Sequence, residues 1–286
     1  MIKLKILTVL FISFIFFSCS NTEQKGETDN SIQIENPTNK VKLSSEIDWE
    51  QLNPARGDKS PQAGTVWGDR KGQVATGFLA KFVDGFSSPP HIHNVTYRAV
   101  VIKGLIHNDD PDAENMWMPP GSFWTQPMGE SHITSAKGEE NMAYVEIDSG
   151  PYLVKPTSEA FDNGERPVNI DKSNIIWLNA SETDWVESSS DAEVSFLWER
   201  KDETQLRGLF IKMPPGSKEE LHSDGSICHA IIIEGLVSYQ MPDSQLHQLD
   251  PASYFGSEGK SIHAVTNGQT EDAVIYVRTN GKIKVY

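Results

Sequence analysis

The residues best equipped for chemistry are three histidines in the stretch from Gly85 to His132. His91 and His93 stand one residue apart at the head of a β-like run, HIHNVTYRAVVIKG, and His132 follows a Pro-x-Gly turn in PMGESH. Side chains two apart on a strand share a face. His91 and His93 therefore project together, and a neighbouring strand can bring His132 beside them. Three imidazoles on one point suit one divalent transition metal: Fe, Zn or Mn. Three neutral ligands leave positions free for water or substrate, as in catalytic rather than closed structural sites.

Tyr97 keeps the parity of His91 and His93 and is expected to point into the same space, where its hydroxyl can hydrogen-bond a metal-bound ligand. Gln126, one residue before the Pro127 turn, is placed near the mouth, where its amide can orient substrate. These two are the candidate catalytic residues. Trp117, Phe123 and Trp124 either wall an apolar pocket or fill ordinary core. His107 lies in the acidic loop IHNDDPDAEN, which lacks the spacing of a calcium loop and reads as a solvated hairpin connection. The chain has no Gly-x-Ser-x-Gly elbow, phosphate-cradling loop or dinucleotide fingerprint. Nor does any carboxylate pair stand in a setting for glycoside hydrolysis.

The elements that must position these groups are short β-rich runs such as VATGFLAKF, MAYVEI, HAIIIEGLVSYQM and AVIYVRT. They are punctuated by Gly, Pro, Asn and Asp, and no long stretch has helical period, which indicates an all-β sandwich or barrel. The runs come twice. Trp67 and Trp198, Gly77 and Gly208, His91 and His222, Gly104 and Gly235, Pro120 and Pro251, and His132 and His263 are each 131 residues apart. A constant offset over such a span implies two copies of one domain. The copies are placed at 41–160 and 175–286, with the turn-rich segment 161–174 as linker. In the second copy Asp224 replaces the partner of His93, Cys228 replaces that of Tyr97, and Glu258-Gly259-Lys260 replaces the turn. His222, Asp224 and His263 form at most a weak second site of two histidines and one carboxylate. Otherwise the second copy is a scaffold that shields the first or pairs two chains as a homodimer.

Of the 286 residues, 37% are apolar, enough for a real core. The net charge of −15 argues against nucleic acid or an anionic membrane face as partner. Residues 1–19 carry Lys3 and Lys5, then a short apolar run from Ile6 to Phe17, then Ser18 and Cys19. That is the layout of a signal peptide, too short to span comfortably. Residues 20–40 are polar and read as a flexible tether. Cys228 is then a lone thiol, expected to be buried.

These motifs resemble the cupin superfamily. Gly85, His91, His93, Tyr97 and Gly104 fill the spacing of its first motif, with Tyr97 where that motif has Glu. Gly121, Pro127, Gly129 and His132 fill the second, with Ala136 in place of its Asn. The strings PPHIHNVTYR, NDDPDAENMWMPPGSFWTQP, AFDNGERPVN and SYFGSEG are similar to those of an uncharacterised bacterial family of tandem cupins. The resemblance implies two double-stranded β-helix (jelly-roll) barrels with a metal inside the first. It is compatible with dioxygenase, isomerase or hydrolase chemistry on a small molecule, and equally with a ligand-binding or sensing module. Cys19 resembles a lipobox cysteine, which implies lipidation there and a periplasmic or outer-membrane lipoprotein held by its N-terminal anchor alone.

Overall fold

The computed structural model describes residues 34–286, and the leader and Cys19 lie outside them. The regular structure of the described residues is almost all antiparallel strand, in two jelly-roll barrels. In the first, a seven-stranded sheet is centred on the long strands Tyr97–Asp109 and Ile133–Ile147. These bend through register shifts at Val101/Lys103 and Lys103/Leu105 and so continue around the barrel. Bends of this kind let one strand serve two sheets. The short strand His91–His93 pairs with Val154–Pro156, and His91 also bridges His132. The second barrel closes six- and five-stranded sheets around Ile227–Glu234, Ala273–Thr279, Lys218–Ser223 and Ser261–Thr266.

The runs YRAVVIKG and CHAIIIEG are continuously apolar because both faces of their strands are buried. Ala99 and Val101 enter the core of the first barrel, and Ala230 and Ile232 that of the second. Val100, Ile102, Ile231 and Ile233 face the other way, into a third cluster shared by the two barrels. Each barrel thus packs the back of its sheet on the other.

Polar groups on the same faces complete the junction. Trp67 donates to the Tyr144 hydroxyl and Trp198 to that of Tyr276, both at 2.9 Å. Trp67 stacks on His229 with ring centroids 3.9 Å apart, while the Arg98 guanidinium lies 3.8 Å over Trp198. At the centre Glu146, fully buried, accepts from Tyr276 at 2.7 Å and Arg278 at 3.2 Å. Arg278 also donates to Asp148 at 2.7 Å.

The strand leading into each repeat belongs to the sheet of the other. Lys40–Lys42 pairs with Tyr254–Glu258 of the second barrel, and Val168–Ile170 with Phe123–Gln126 of the first. Lys40 at the end of the expected tether, and Val41 at the expected start of the first domain, therefore lie in the second barrel's sheet. The expected linker 161–174 likewise supplies a strand to the first barrel. Asn39 is tied down as well, donating to the Tyr239 hydroxyl at 2.7 Å and the Ile262 carbonyl at 3.0 Å.

Candidate metal centre

Two neighbouring strands and a turn assemble the histidine triad. His91 and His132 exchange both backbone hydrogen bonds at 3.0 Å, which sets their side chains on one face. Gly129, at φ +79°, makes the turn before His132, and a Cβ there would fall 2.7 Å from Phe161. The ligand atoms of His91, His93 and His132 lie within 4.8 Å of one another, and among the described residues no other His, Cys, Asp or Glu cluster converges in this way.

The rings are held in the tautomer a metal needs. His91 Nδ1 faces the Pro89 carbonyl at 2.9 Å, His93 Nδ1 that of Leu153 at 3.1 Å, and His132 Nδ1 that of Glu130 at 3.2 Å. A carbonyl only accepts, so each Nδ1 carries the proton and each Nε2 keeps its lone pair. Burial lowers all three imidazoles' pKa, His132 to about 3 and His93 well below the usual value, and neighbouring histidines add to the effect at His93 and His132. The triad is neutral at physiological pH.

Tyr97 lies where the parity argument put it. Its hydroxyl is 3.3 Å from His132 Nε2 and 2.9 Å from Asn108 Oδ1. A phenol has one proton, and the shorter contact takes it, so the His132 lone pair is left without a donor. A buried lone pair in that condition fits a cation. Gln126 is placed differently from expectation. It is buried behind Tyr97, accepting from Asn108 Nδ2 at 2.9 Å and donating to the Glu130 carbonyl at 3.3 Å, and does not line the cavity. Its role is to orient Asn108.

Two residues were not found from the sequence. Asn108 is the hub that joins Tyr97, Gln126 and Thr134, whose hydroxyl donates to it at 2.7 Å. Tyr152 stacks on His93 with centroids 4.2 Å apart, its hydroxyl 3.0 Å from Nε2. Burial raises the pKa of both phenols, so they act as neutral hydrogen-bond groups and not as bases.

A cavity of about 370 Å³ opens onto His91, His93, Tyr97 and Tyr152. Its walls include Phe78, Phe82, Phe86, Trp124 and Val145, and among the described residues no carboxylate lines it. Of the expected aromatic wall, Trp124 takes its place there. Phe123 instead packs between the barrels, and Trp117 lies 6.0 Å from the His107 ring, away from the cavity.

The second barrel does not assemble His222, Asp224 and His263. His263 pairs across from Leu221, not His222, so Leu221 occupies the His91 position and Ser223 that of His93. A shift of one residue sends a strand's side chains to the opposite face. His222 consequently lies outside, 2.9 Å from Glu220 and against Tyr286. The Asp224 carboxylate accepts from the Lys282 backbone, and His263 is enclosed by Tyr239, Ser257 and Ser261. Cys228 is buried, its thiol pKa pushed up to about 12.

Paired jelly-roll barrels with a histidine triad inside one of them define a cupin, here a two-barrel cupin with one intact centre. The chain belongs to the family described as a domain of unknown function, DUF4437, which matches residues 40–286. A search of curated proteins gives no match. Among solved structures it is similar to a Nostoc punctiforme protein provisionally assigned as a dioxygenase, with TM-score 0.66 and 14% identity over 88% of each chain. It is also similar to the Escherichia coli protein Ylba, with TM-score 0.59 and 12% identity over 88% of this chain and 94% of the other. Oxalate decarboxylase of Lactobacillus farciminis aligns with TM-score 0.57 and 12% identity over 89% of each. At such identities the likeness establishes the fold alone.

Proposed function

We propose that the first barrel holds one divalent transition metal through Nε2 of His91, His93 and His132, and that the protein is an enzyme oxidising a small organic substrate with dioxygen. The observation that carries this reading is the composition of the cavity. It sets the imidazoles of the triad beside apolar walls, and among the described residues that line it there is no carboxylate and, apart from the histidines, no side-chain base. Isomerisation by proton transfer ordinarily needs such a group, whereas hydrolysis could draw its nucleophile from a metal-bound water. Incorporation of both oxygen atoms into a substrate needs neither a protein base nor an external reductant. When bound, ferrous iron supplies the redox partner for dioxygen that no side chain provides.

The chain's own contribution is positional. The backbone carbonyls of Pro89, Leu153 and Glu130 aim the imidazoles, Phe78 and Val145 keep water away, and Tyr97 and Tyr152 stay protonated beside them. The test is oxygen uptake by protein reconstituted anaerobically with Fe(II), across a panel of small aromatic and aliphatic acids, alcohols and diols. One O₂ consumed per substrate is the expected result. Turnover without oxygen consumption, or binding without turnover, contradicts it in favour of Lewis-acid catalysis or a sensing module.

We further place the protein at the cell envelope, anchored through Cys19, on the strength of the leader's layout. Cys19→Ala is expected to move it from the membrane to the soluble fraction, and retention on the membrane would refute the anchor.

A further inference from the structure

The cavity beside the triad carries two polar groups with no partner among the described residues. Arg56, in the 3-10 segment Pro54–Lys59 over the cavity mouth, is exposed and lines the opening, its guanidinium 5.2 Å over the Phe86 ring. Among the described residues it pairs with no carboxylate, although Asp and Glu outnumber Lys and Arg by 40 to 25. Every other arginine among the described residues is ion-paired, Arg70 with Glu50 at 3.0 Å and Arg98 with Asp148 at 3.2 Å among them. A guanidinium left free at the rim of a cavity without carboxylates is a ready anion anchor.

The second group is the indole N–H of Trp124. This side chain is only 2% exposed and lines the same cavity, yet among the described residues its Nε1 has no acceptor. A buried donor left unpaired costs free energy unless a ligand satisfies it. Between the two groups the walls are Phe78, Phe82, Phe86 and Val145, surfaces that suit a flat apolar body.

Building on the metal-centre reading, we infer that the ligand of this cavity is a small carboxylic acid with an aromatic or compact apolar body. Its carboxylate pairs with Arg56 at the mouth, and an acceptor deeper in the molecule takes the Trp124 N–H. The end of the ligand that faces the triad is therefore not the acid.

Binding of phenylacetate and of its uncharged analogue 2-phenylethanol, followed by calorimetry on the full-length chain in detergent, tests this. The parent is expected to prefer phenylacetate, and Arg56→Gln to weaken it by about ten-fold while leaving 2-phenylethanol unchanged. The same Arg56 dependence is expected in protein stripped of metal by chelation, because the carboxylate is not a metal ligand in this arrangement. Trp124→Phe, which keeps an aromatic ring, is the second variant. Binding of 4-hydroxyphenylacetate is expected to fall in it more than that of phenylacetate. Equal affinity for acid and alcohol, or for parent and Arg56→Gln, overturns the inference. Loss of phenylacetate binding on metal removal also overturns it, by assigning the carboxylate to the metal. Metal content of Arg56→Gln, measured in parallel, keeps the two readings separate: a chain that never bound metal refutes the centre and leaves the anchor to be judged by its own affinities.

Discussion

His132→Ala is expected to lower affinity for Zn²⁺ or Fe²⁺ by well over the roughly 10–100-fold that follows loss of a hydrogen-bond partner behind a metal ligand. His132 is the most constrained of the three imidazoles. It is fully buried, its Nδ1 is fixed by the Glu130 carbonyl, and its Nε2 lone pair has no proton donor to itself. Removing it leaves two ligands and a void next to Tyr97. Competition with a chromophoric chelator reads the change. Tyr97→Phe keeps the ring and deletes only the hydroxyl, and is expected to fall at or below the lower end of that range. His222→Ala, on the outside of the second barrel, is expected to leave affinity unaltered. If His132→Ala bound metal as the parent does, the histidines would be a hydrogen-bonded cluster and not a ligand set.

Arg278→Met is expected to destabilise the protein by about 3–5 kcal/mol, the usual cost of removing one partner from a buried ion pair. Glu146 and Arg278 are 3.2 Å apart with side chains 0% and 2% exposed, at the junction of the barrels. With Arg278 gone, Glu146 keeps only the hydroxyls of Tyr276 and Tyr144. Asp148 still has Arg98 and Arg200. For a chain of this size the loss corresponds to a fall in Tm on the order of 10 °C. The double variant Glu146→Leu/Arg278→Met is expected to recover most of it, since apolar replacement of a whole buried pair is often neutral. A parent-like Tm for Arg278→Met alone would show that the pair is not what fixes the junction.

The same network sets an acid limit. Burial alone would raise the Asp148 pKa, but Arg98, Arg278 and Arg200 outweigh it and hold the carboxyl at about 2, against an ordinary 3.8. A carboxylate whose folded pKa is depressed stabilises fully above its unfolded pKa and loses that contribution as pH falls through the folded one. About 2 kcal/mol should therefore disappear between roughly pH 4 and pH 2. Denaturant titrations across that window are expected to show the loss in the parent and a smaller one in Asp148→Asn.

The triad was legible because strand parity and turn spacing are local properties. HIH places two imidazoles on one face whatever surrounds it, and the Pro127-x-Gly129 turn delivers His132. What failed were inferences that needed the strands to stay regular. The offset of 131 equated His91 with His222, yet the chain of the first barrel holds one more residue between Ser87 and His91 than the second does between Lys218 and Leu221. The second barrel regains that residue between Ser223 and Cys228, so the offset is the same on either side and wrong between. Asn108 was hidden for a related reason. It is 11 residues beyond Tyr97, an odd separation that puts the two on opposite faces of a flat strand. Only the register shifts near Lys103 bring them together. Tyr152 sits in a loop that no periodicity describes. The exchanged strands KVK and VNI are too short to say which sheet they join.

The most direct test of the whole account is metal per chain, by elemental analysis of the full-length protein purified in detergent, set against the His91→Ala/His93→Ala variant. One equivalent of a transition metal is expected in the parent, iron for the oxidative reading, and almost none in the variant. No metal in the parent even after reconstitution would contradict the centre itself, and two equivalents would contradict the assignment of the second barrel as empty of ligands.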